Sequence, residues 1–275
     1  MTLRLCLAGA AVGRSPSAAM YTAVLRELGV DGSYELRPLR EAELPTFLAE
    51  LRAGRYRGCN VTMPYKGVLA KACDELSPDA ELLGAANTIN VEDGRLIGSN
   101  TDIAGFAGGL DDAGLLPGPD ARAVVLGAGG AAAAVTLALL RVPVAQVTVV
   151  ARRVTEADAL AARVVGEGSA VAGVWDAREL RGTLDETSIL VNATPAGVAE
   201  LPLDVRALPS SCTVADVRYR PRPVDLVVAA AAAGLPAVDG SGMLVHQAVL
   251  SFRTWTGLTA PPATMRRALE AALEG

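Results

Sequence analysis

The sequence predicts an α/β chain of two domains, each built around a mostly parallel sheet. Three observations predict it. Short apolar runs alternate with amphipathic or alanine-rich stretches of helical length, the order expected of βαβ units. The chain has 275 residues, 51% of them hydrophobic, enough for two cores of modest size. A stretch rich in Gly, Pro and Asp, residues 111–120, interrupts the alternation and reads as a linker.

Leu3–Ala8 is predicted as a short apolar strand, followed by a Gly/Ser/Pro turn from Gly9 to Ser17 and an amphipathic helix over Ala18–Leu28. Tyr34–Leu39 predicts a second strand, Glu41–Ala53 a helix closed by Gly54, and Gly58–Thr62 a third strand. Pro64 breaks that strand and is placed in the first turn of the next helix, where its missing N–H costs nothing. Thr88–Val91 and Arg95–Gly98 flank Asp93-Gly94, a two-residue hairpin signal. Beyond the linker, Ala123–Leu126 is a strand and an alanine-rich helix runs to Leu140. Gln146–Ala151 is the next strand, Glu156–Gly166 a helix, and Ser188–Val191 and Thr213–Val217 further strands. From Met243 onward the pattern is two helices interrupted by Pro261-Pro262.

A net charge of −5 argues against nucleic acid as the main partner, because a phosphate backbone demands a basic surface. Four scattered cysteines, Cys6, Cys59, Cys73 and Cys212, form no C-x-x-C pair and read as reduced thiols in a cytoplasmic protein. With one histidine, His246, no metal site is expected. The N-terminus lacks a basic region followed by an apolar one, so no signal peptide is expected. The long apolar segment from Ala123 to Leu140 fits strand, turn and helix better than a membrane span. Lys66 and Lys71 are the only lysines among 25 basic residues. Lysine, unlike arginine, can be tuned to exchange a proton, which draws attention to Lys66.

The glycine cluster Gly127-Ala128-Gly129-Gly130-Ala131 follows an apolar strand and opens a helix. Glycines let a backbone approach a pyrophosphate, and the helix N-terminus supplies N–H groups and a favourable dipole. The third glycine of the usual dinucleotide pattern is Ala132 here. This predicts a Rossmann dinucleotide-binding domain. The second strand of the unit ends in Ala151-Arg152-Arg153, where NAD-selective chains carry an acidic residue. Two guanidiniums favour a 2′-phosphate, hence NADP, with NAD as the alternative and Glu156 as a tempering charge.

Further segments become informative together. They are Ser15-Pro16-Ser17, Asn60-Val61-Thr62-Met63-Pro64-Tyr65-Lys66, Gly84-Ala85-Ala86-Asn87-Thr88 and Asn100-Thr101-Asp102. Asn192-Ala193-Thr194-Pro195 and residues 239–247, from Asp239-Gly240 to His246-Gln247, follow. Their order and spacing resemble the shikimate/quinate dehydrogenase family over nearly the whole chain. That resemblance implies an N-terminal α/β substrate domain, residues 1–104, completed by returning C-terminal helices over 243–275. It implies a Rossmann NADP-binding domain over 105–242, with the active site between the two.

The resemblance also implies roles. Ser15 and Ser17 would bind a substrate carboxylate, Thr62, Asn87 and Gln247 would read ring hydroxyls, and Tyr219 would add another hydrogen bond. Lys66 and Asp102 would form the catalytic pair, and Gly240 would join the glycine loop, Arg152 and Arg153 at the cofactor. Each has a plainer reading. Asp102 suits a helix N-cap, Asn60 and Thr62 suit the tying of backbone groups at a strand end, and Ser15 and Ser17 suit a turn.

The family pattern is not matched throughout. Arg14 stands where histidine is common, Ala18 where proline is usual, Ala151 where asparagine is common and Arg153 where threonine is frequent. Ser17 favours shikimate, since a threonine there would suggest quinate. The expected activity is NADP-dependent interconversion of 3-dehydroshikimate and shikimate in aromatic amino-acid biosynthesis. The alternatives are quinate or another shikimate-like cyclic hydroxy acid, a non-catalytic NADP-binding sensor, and a methylene-tetrahydrofolate type dehydrogenase. The last would not call for the S-x-S and N-T-D elements. A monomer or homodimer, with no membrane partner, is expected.

Overall fold

A computed structural model describes residues 2–142 and 144–274; the first and last positions of the expected domain ranges lie outside the described residues. The chain divides into two compact units, Met1–Thr101 with Val245–Gly275, and Asp102–Leu244. The division falls at Thr101, ahead of the Gly/Pro/Asp stretch. A helix, α5 (Asp102–Asp112), lies between that division and most of the predicted linker.

The first unit contains β1 (Leu3–Gly9), α1 (Ser17–Glu27), β2 (Gly32–Pro38), α2 (Leu44–Arg52), β3 (Gly58–Val61) and α3 (Lys66–Ala72). It continues with β4 (Glu75–Leu76), α4 (Pro78–Leu83), β5 (Thr88–Glu92) and β6 (Arg95–Ser99). The strand order is β2-β1-β3-β5-β6-β4. β1 pairs parallel with β2 and β3, and β4 with β6, whereas β5 runs antiparallel to both neighbours. Asp93 and Gly94 both adopt positive φ, 50° and 78°, as a two-residue hairpin turn requires.

Strand alternation gives the sheet two different faces. Cys6 and Ala8, Cys59 and Val61, and Ile89 and Val91 turn to one side and pack with Phe47, Leu51, Tyr65 and Leu69 of the α2–α3 side. Asn60 and Thr88, one residue out of phase, turn to the other side, toward α10 (Ser241–Thr256). There Tyr21 of α1 stacks on Tyr34 at 4.2 Å between ring centres and meets Phe252 and Trp255 of α10. A side chain at Gly58 would collide with the Trp255 indole, whose N–H donates to the Ile89 carbonyl at 2.9 Å. The last helix, α11 (Pro262–Glu274), packs on α1.

The second unit is a six-stranded parallel sheet. Its strands are β7 (Arg122–Leu126), β8 (Gln146–Ala151), β9 (Ala170–Val174), β10 (Ile189–Asn192), β11 (Thr213–Asp216) and β12 (Ala237–Val238), in the order β12-β11-β10-β7-β8-β9. Numbered from its own first strand the order is 3-2-1-4-5-6 read from one edge, the doubly wound arrangement. Residues 132–140 of α6 (Gly130–Arg141) are all buried. A helix apolar on every side is a core helix, which accounts for the long apolar run. No helix among the described residues is long and apolar enough to cross a membrane.

Several expectations need correction. Pro64 does not open a helix: it follows a cis peptide, and α3 starts two residues later at Lys66. The Glu41–Ala53 helix begins as a 3-10 turn over Glu41–Glu43 before α2. The Glu156 helix starts earlier, as α7 (Val154–Arg163). β4, α4, β9, β12, α8 (Ala177–Asp185) and α9 (Asp225–Ala232) were not predicted. β4 and β12 are two residues long, and β9 has no fully buried residue to set an alternation. α8 did carry a signal, since Asp176 caps it by accepting from the Arg178 and Glu179 amides at 2.8 and 3.2 Å.

Candidate active site

In the first unit the polar residues converge through strand ends. Ser15 and Ser17 lie at the start of α1, with their hydroxyls 3.0 Å apart and the Ser17 amide 3.3 Å from Ser15 Oγ. The 11-residue helix behind them directs its positive end at this pair. At the end of β3, the Thr62 amide donates to the Ala8 carbonyl at 2.9 Å, and the Tyr65 amide to Thr62 at 3.0 Å. Lys66 follows as the half-buried first residue of α3. Its carbonyl accepts from the Ala86 amide at 3.1 Å, which sets the α3 start beside Asn87.

Asn87 is 3% exposed, and its amide orientation is determined. The Thr101 main-chain N–H donates to Asn87 Oδ1 at 2.8 Å, and an N–H can only donate. Nδ2 therefore takes the other side, 3.0 Å from Thr101 Oγ1 and 3.3 Å from Gln247 Oε1. Asn87 and Gln247, 160 positions apart, are brought together in this way.

A buried polar network underlies them. Asn60 Nδ2 donates to the Asn87 carbonyl at 3.3 Å, to Thr88 Oγ1 at 3.2 Å and to Ser251 Oγ at 3.0 Å. Its Oδ1 accepts from the Tyr21 and Tyr34 hydroxyls at 3.0 and 2.8 Å. Asn60 thus serves the plainer purpose, tying backbone and side-chain groups together. Ser251 Oγ also lies 2.8 Å from Thr88 Oγ1 and 3.3 Å from Thr101 Oγ1, and donates to the Gln247 carbonyl at 2.9 Å. Ser251, Tyr21 and Tyr34 stand in none of the motifs read from the sequence. Ser251 had one signal: it stands one helical turn after Gln247, on the same face.

The second unit holds Asp102, Tyr219, Gly240, the glycine loop and the two arginines. Asp102 is 2% exposed and is the first residue of α5 rather than a residue ahead of it. The loop Gly127–Gly130 joins β7 to α6. Gly127 has φ 114°, and a Cβ there would stand 3.0 Å from Thr194 Cγ2 and 3.1 Å from the Ala193 carbonyl. Gly129 is different: a Cβ would meet no protein atom within 4 Å. Packing does not demand glycine at 129, and the open space there is the room that close approach of a ligand backbone would need. The first amides of α6, from Gly130 to Ala132, have no acceptor within the helix. Ala132 is fully buried, so alanine suits the third position, where helix meets strand. The cradle fits a dinucleotide pyrophosphate.

At the β8 tip, Arg152 and Arg153 are both exposed. Arg153 is ion-paired with Glu156, the carboxylate foreseen as a tempering charge, while Arg152 has no such pair among the described residues. At Gly240 a Cβ would collide with the Val217 carbonyl, and its amide donates to the Arg218 carbonyl at 2.9 Å. Packing alone therefore requires that glycine. Tyr219 is half-buried in the loop after β11. Arg218 clamps this loop, with Nη2 2.6 Å from both Asp216 Oδ2 and Asp225 Oδ1.

A doubly wound sheet with a phosphate-type glycine loop, joined in one chain to a unit lined by serine, lysine and amide groups, defines a dinucleotide-dependent type of enzyme. Comparison with known proteins narrows the class. Residues 7–89 match the shikimate dehydrogenase substrate binding domain, residues 117–203 the shikimate / quinate 5-dehydrogenase family, and residues 240–270 the shikimate 5'-dehydrogenase C-terminal domain. Shikimate dehydrogenase (NADP(+)) of Afipia carboxidovorans is 40% identical over 269 residues, covering 96% of this chain and 95% of the relative. Shikimate 5-dehydrogenase of Thermus thermophilus, solved with NADP(H) and shikimate, is 37% identical with a TM-score of 0.88, covering 99% of this chain and 100% of that one. Quinate dehydrogenase of Corynebacterium glutamicum, solved with NAD, is 33% identical with a TM-score of 0.89, covering 98% and 99%. The chain belongs to the shikimate dehydrogenase family.

Proposed function

We propose that this protein interconverts 3-dehydroshikimate and shikimate with NADP(H). The observation that carries the reading is the meeting of Asn87 and Gln247 at 3.3 Å, in the same unit as the Ser15–Ser17 pair at the N-terminus of α1. A compact acid with several hydroxyls needs that combination: donors backed by a helix dipole for its carboxylate, and paired amides for its hydroxyls.

Ser15 and Ser17 hold the carboxylate, and Thr62, Asn87, Gln247 and Tyr219 orient the ring. NADP(H), when held by the second unit, would supply or take the hydride at the ring carbon that bears the reacting oxygen. Lys66 stabilises charge on that oxygen and delivers its proton on reduction, or takes it on oxidation. Asp102 is the second member of the proposed catalytic pair and orients the substrate. The glycine loop would hold the pyrophosphate and Arg152 the 2′-phosphate, which would favour NADP over NAD. Gly240 would contribute to the cofactor site through the packing of its loop. The domains are assigned accordingly: 1–104 with 243–275 for the acid, 105–242 for the cofactor. A cytoplasmic location and a monomeric or dimeric state complete the reading.

The test is initial rates of NADP+ reduction with shikimate, quinate and NAD+ controls, for wild type and Lys66→Ala. Shikimate turnover that falls by about 10²-fold or more in the variant, with shikimate binding kept, supports the reading. Turnover of quinate alone moves the assignment to quinate. Tight NADP binding with neither acid oxidised moves it to a sensor.

A further inference from the structure

Ser251 belongs to none of the motifs above, yet its hydroxyl is the point at which the polar network closes. It is fully buried, with Asn60 Nδ2 at 3.0 Å, Thr88 Oγ1 at 2.8 Å, Thr101 Oγ1 at 3.3 Å and the Gln247 carbonyl at 2.9 Å. A hydroxyl has one hydrogen and two acceptor positions, so these neighbours exhaust it. We propose that Ser251 is a positioning residue for the substrate site, holding the amides of Asn87 and Gln247 in register with one another. The assignment rests on the reading above that these two amides bind the acid.

Three contacts carry the effect. Ser251 ties down the turn of α10 that bears Gln247 by donating to its carbonyl. The Thr88 hydroxyl lies 2.8 Å from Ser251 Oγ and 3.0 Å from Asn87 Oδ1, and its single hydrogen is shared between these two acceptors because the Ser251 hydrogen goes to the Gln247 carbonyl. Thr101 Oγ1, also beside Ser251, accepts from Asn87 Nδ2 at 3.0 Å. A purely structural role would be the satisfaction of Asn60, but Asn60 Nδ2 already has the Asn87 carbonyl and Thr88 Oγ1 within 3.3 Å. An alanine would occupy the site without a clash and lose the bond to the Gln247 carbonyl and the contacts to Thr88 and Thr101.

The experiment is steady-state kinetics and thermal melting of the full chain for Ser251→Ala, Ser251→Thr, Gln247→Ala and the Ser251→Ala/Gln247→Ala double variant. Ser251→Ala is expected to raise the shikimate KM roughly 5- to 10-fold, with kcat and the NADP+ KM within about 2-fold. Ser251→Thr, which keeps the hydroxyl, restores the KM. Once Gln247 is alanine, the same serine change adds less than about 2-fold. A lowered melting temperature with unchanged KM, or effects that simply multiply in the double variant, overturns the assignment. Should Ser251→Ala not fold, Ser251→Cys carries the test, since a thiol is a weaker hydrogen-bonding group. A raised KM supports the proposal there, and an unchanged one overturns it. A wild type without shikimate turnover overturns the functional reading and this assignment together, whereas wild-type turnover with a normal Ser251→Ala KM removes only the latter.

Discussion

Asn60 is a buried amide whose oxygen and nitrogen both have partners among tyrosines, threonine, serine and main chain. Asn60→Leu strips one partner from each of these groups; the Tyr21 hydroxyl keeps the Ala248 carbonyl and the Thr88 and Ser251 hydroxyls keep each other, while a buried polar group left unsatisfied costs about 1–3 kcal/mol. We expect a loss of about 2–4 kcal/mol in urea unfolding. The two arginines at the β8 tip divide differently. Because Arg153 is paired with Glu156, Arg152→Ala should raise the NADP+ KM by about 10-fold or more, Arg153→Ala by less, and neither should move the NAD+ KM. Equal effects from both would show that the Glu156 pair breaks on binding. Burial pushes the thiols of Cys73 and Cys212 up to about 11, and Cys6 and Cys59, neighbours across β1 and β3, are fully buried. Native protein at pH 8 should therefore react slowly with a thiol reagent and expose four thiols in guanidinium. A fast native phase would contradict this.

At the scale of elements, α10 is held by its far end. Trp255→Ala removes the indole from the slot at Gly58 and its bond to Ile89, and should cost about 3–5 kcal/mol. Gly58→Ala should also destabilise, because its methyl meets that indole; Trp255→Ala made in that background should then add little. The loop after β11 gives a pH signature. Burial raises the Asp225 carboxyl, but amide donors from Val198 and Leu226 and the Arg218 guanidinium outweigh it, so the group ends below its ordinary 3.8. A depressed carboxyl stabilises the fold above its unfolded value and loses that contribution as pH falls through the folded one. Asp225→Asn should flatten the pH dependence of unfolding below about pH 4, and leave it unchanged at pH 7.

How much was legible follows from what each element rests on. β7, the glycine loop and β8 were readable because burial on both faces writes an apolar run, and a tight turn writes glycine. The hairpin was readable from Asp93-Gly94 for the same kind of reason. β9 was not, because an edge strand with half-buried residues carries weak periodicity; α8 was legible in principle, from its Asp176 cap and from Leu180 and Leu184 buried one turn apart in a polar segment. In the site, Ser15, Asn87 and Gln247 stood in recognisable strings, and the partners Thr88 and Thr101 were adjacent to them. Ser251 could not be found by string alone. Its role depends on which face of β3 and β5 meets α10, a fact of tertiary packing.

For the whole molecule, ligand binding should appear as stability. A ligand that binds only the folded chain at 100 times its Kd adds about 2.7 kcal/mol. NADP+ should therefore raise the melting temperature by several degrees, with NAD+ giving less at equal concentration. Equal shifts from both would remove the 2′-phosphate argument built on Arg152. Shikimate should add a shift of its own through the first unit, and this shift should shrink in Ser15→Ala.

The first unit is made of two segments separated in the chain by the whole of the second. During synthesis β1 to β6 emerge first, with Asn60, Thr88 and the Gly58 slot still lacking α10. At ~5–20 residues per second, the interval before Gln247, Ser251 and Trp255 are made is on the order of ten seconds. For that time the nascent sheet presents a bare face bearing amide and hydroxyl groups, and the completed second unit must wait beside an unfinished neighbour. The amide and hydroxyl groups set among the tyrosines of that face are then an asset to the newborn chain, since polar groups interrupt a surface that would otherwise associate with other nascent chains.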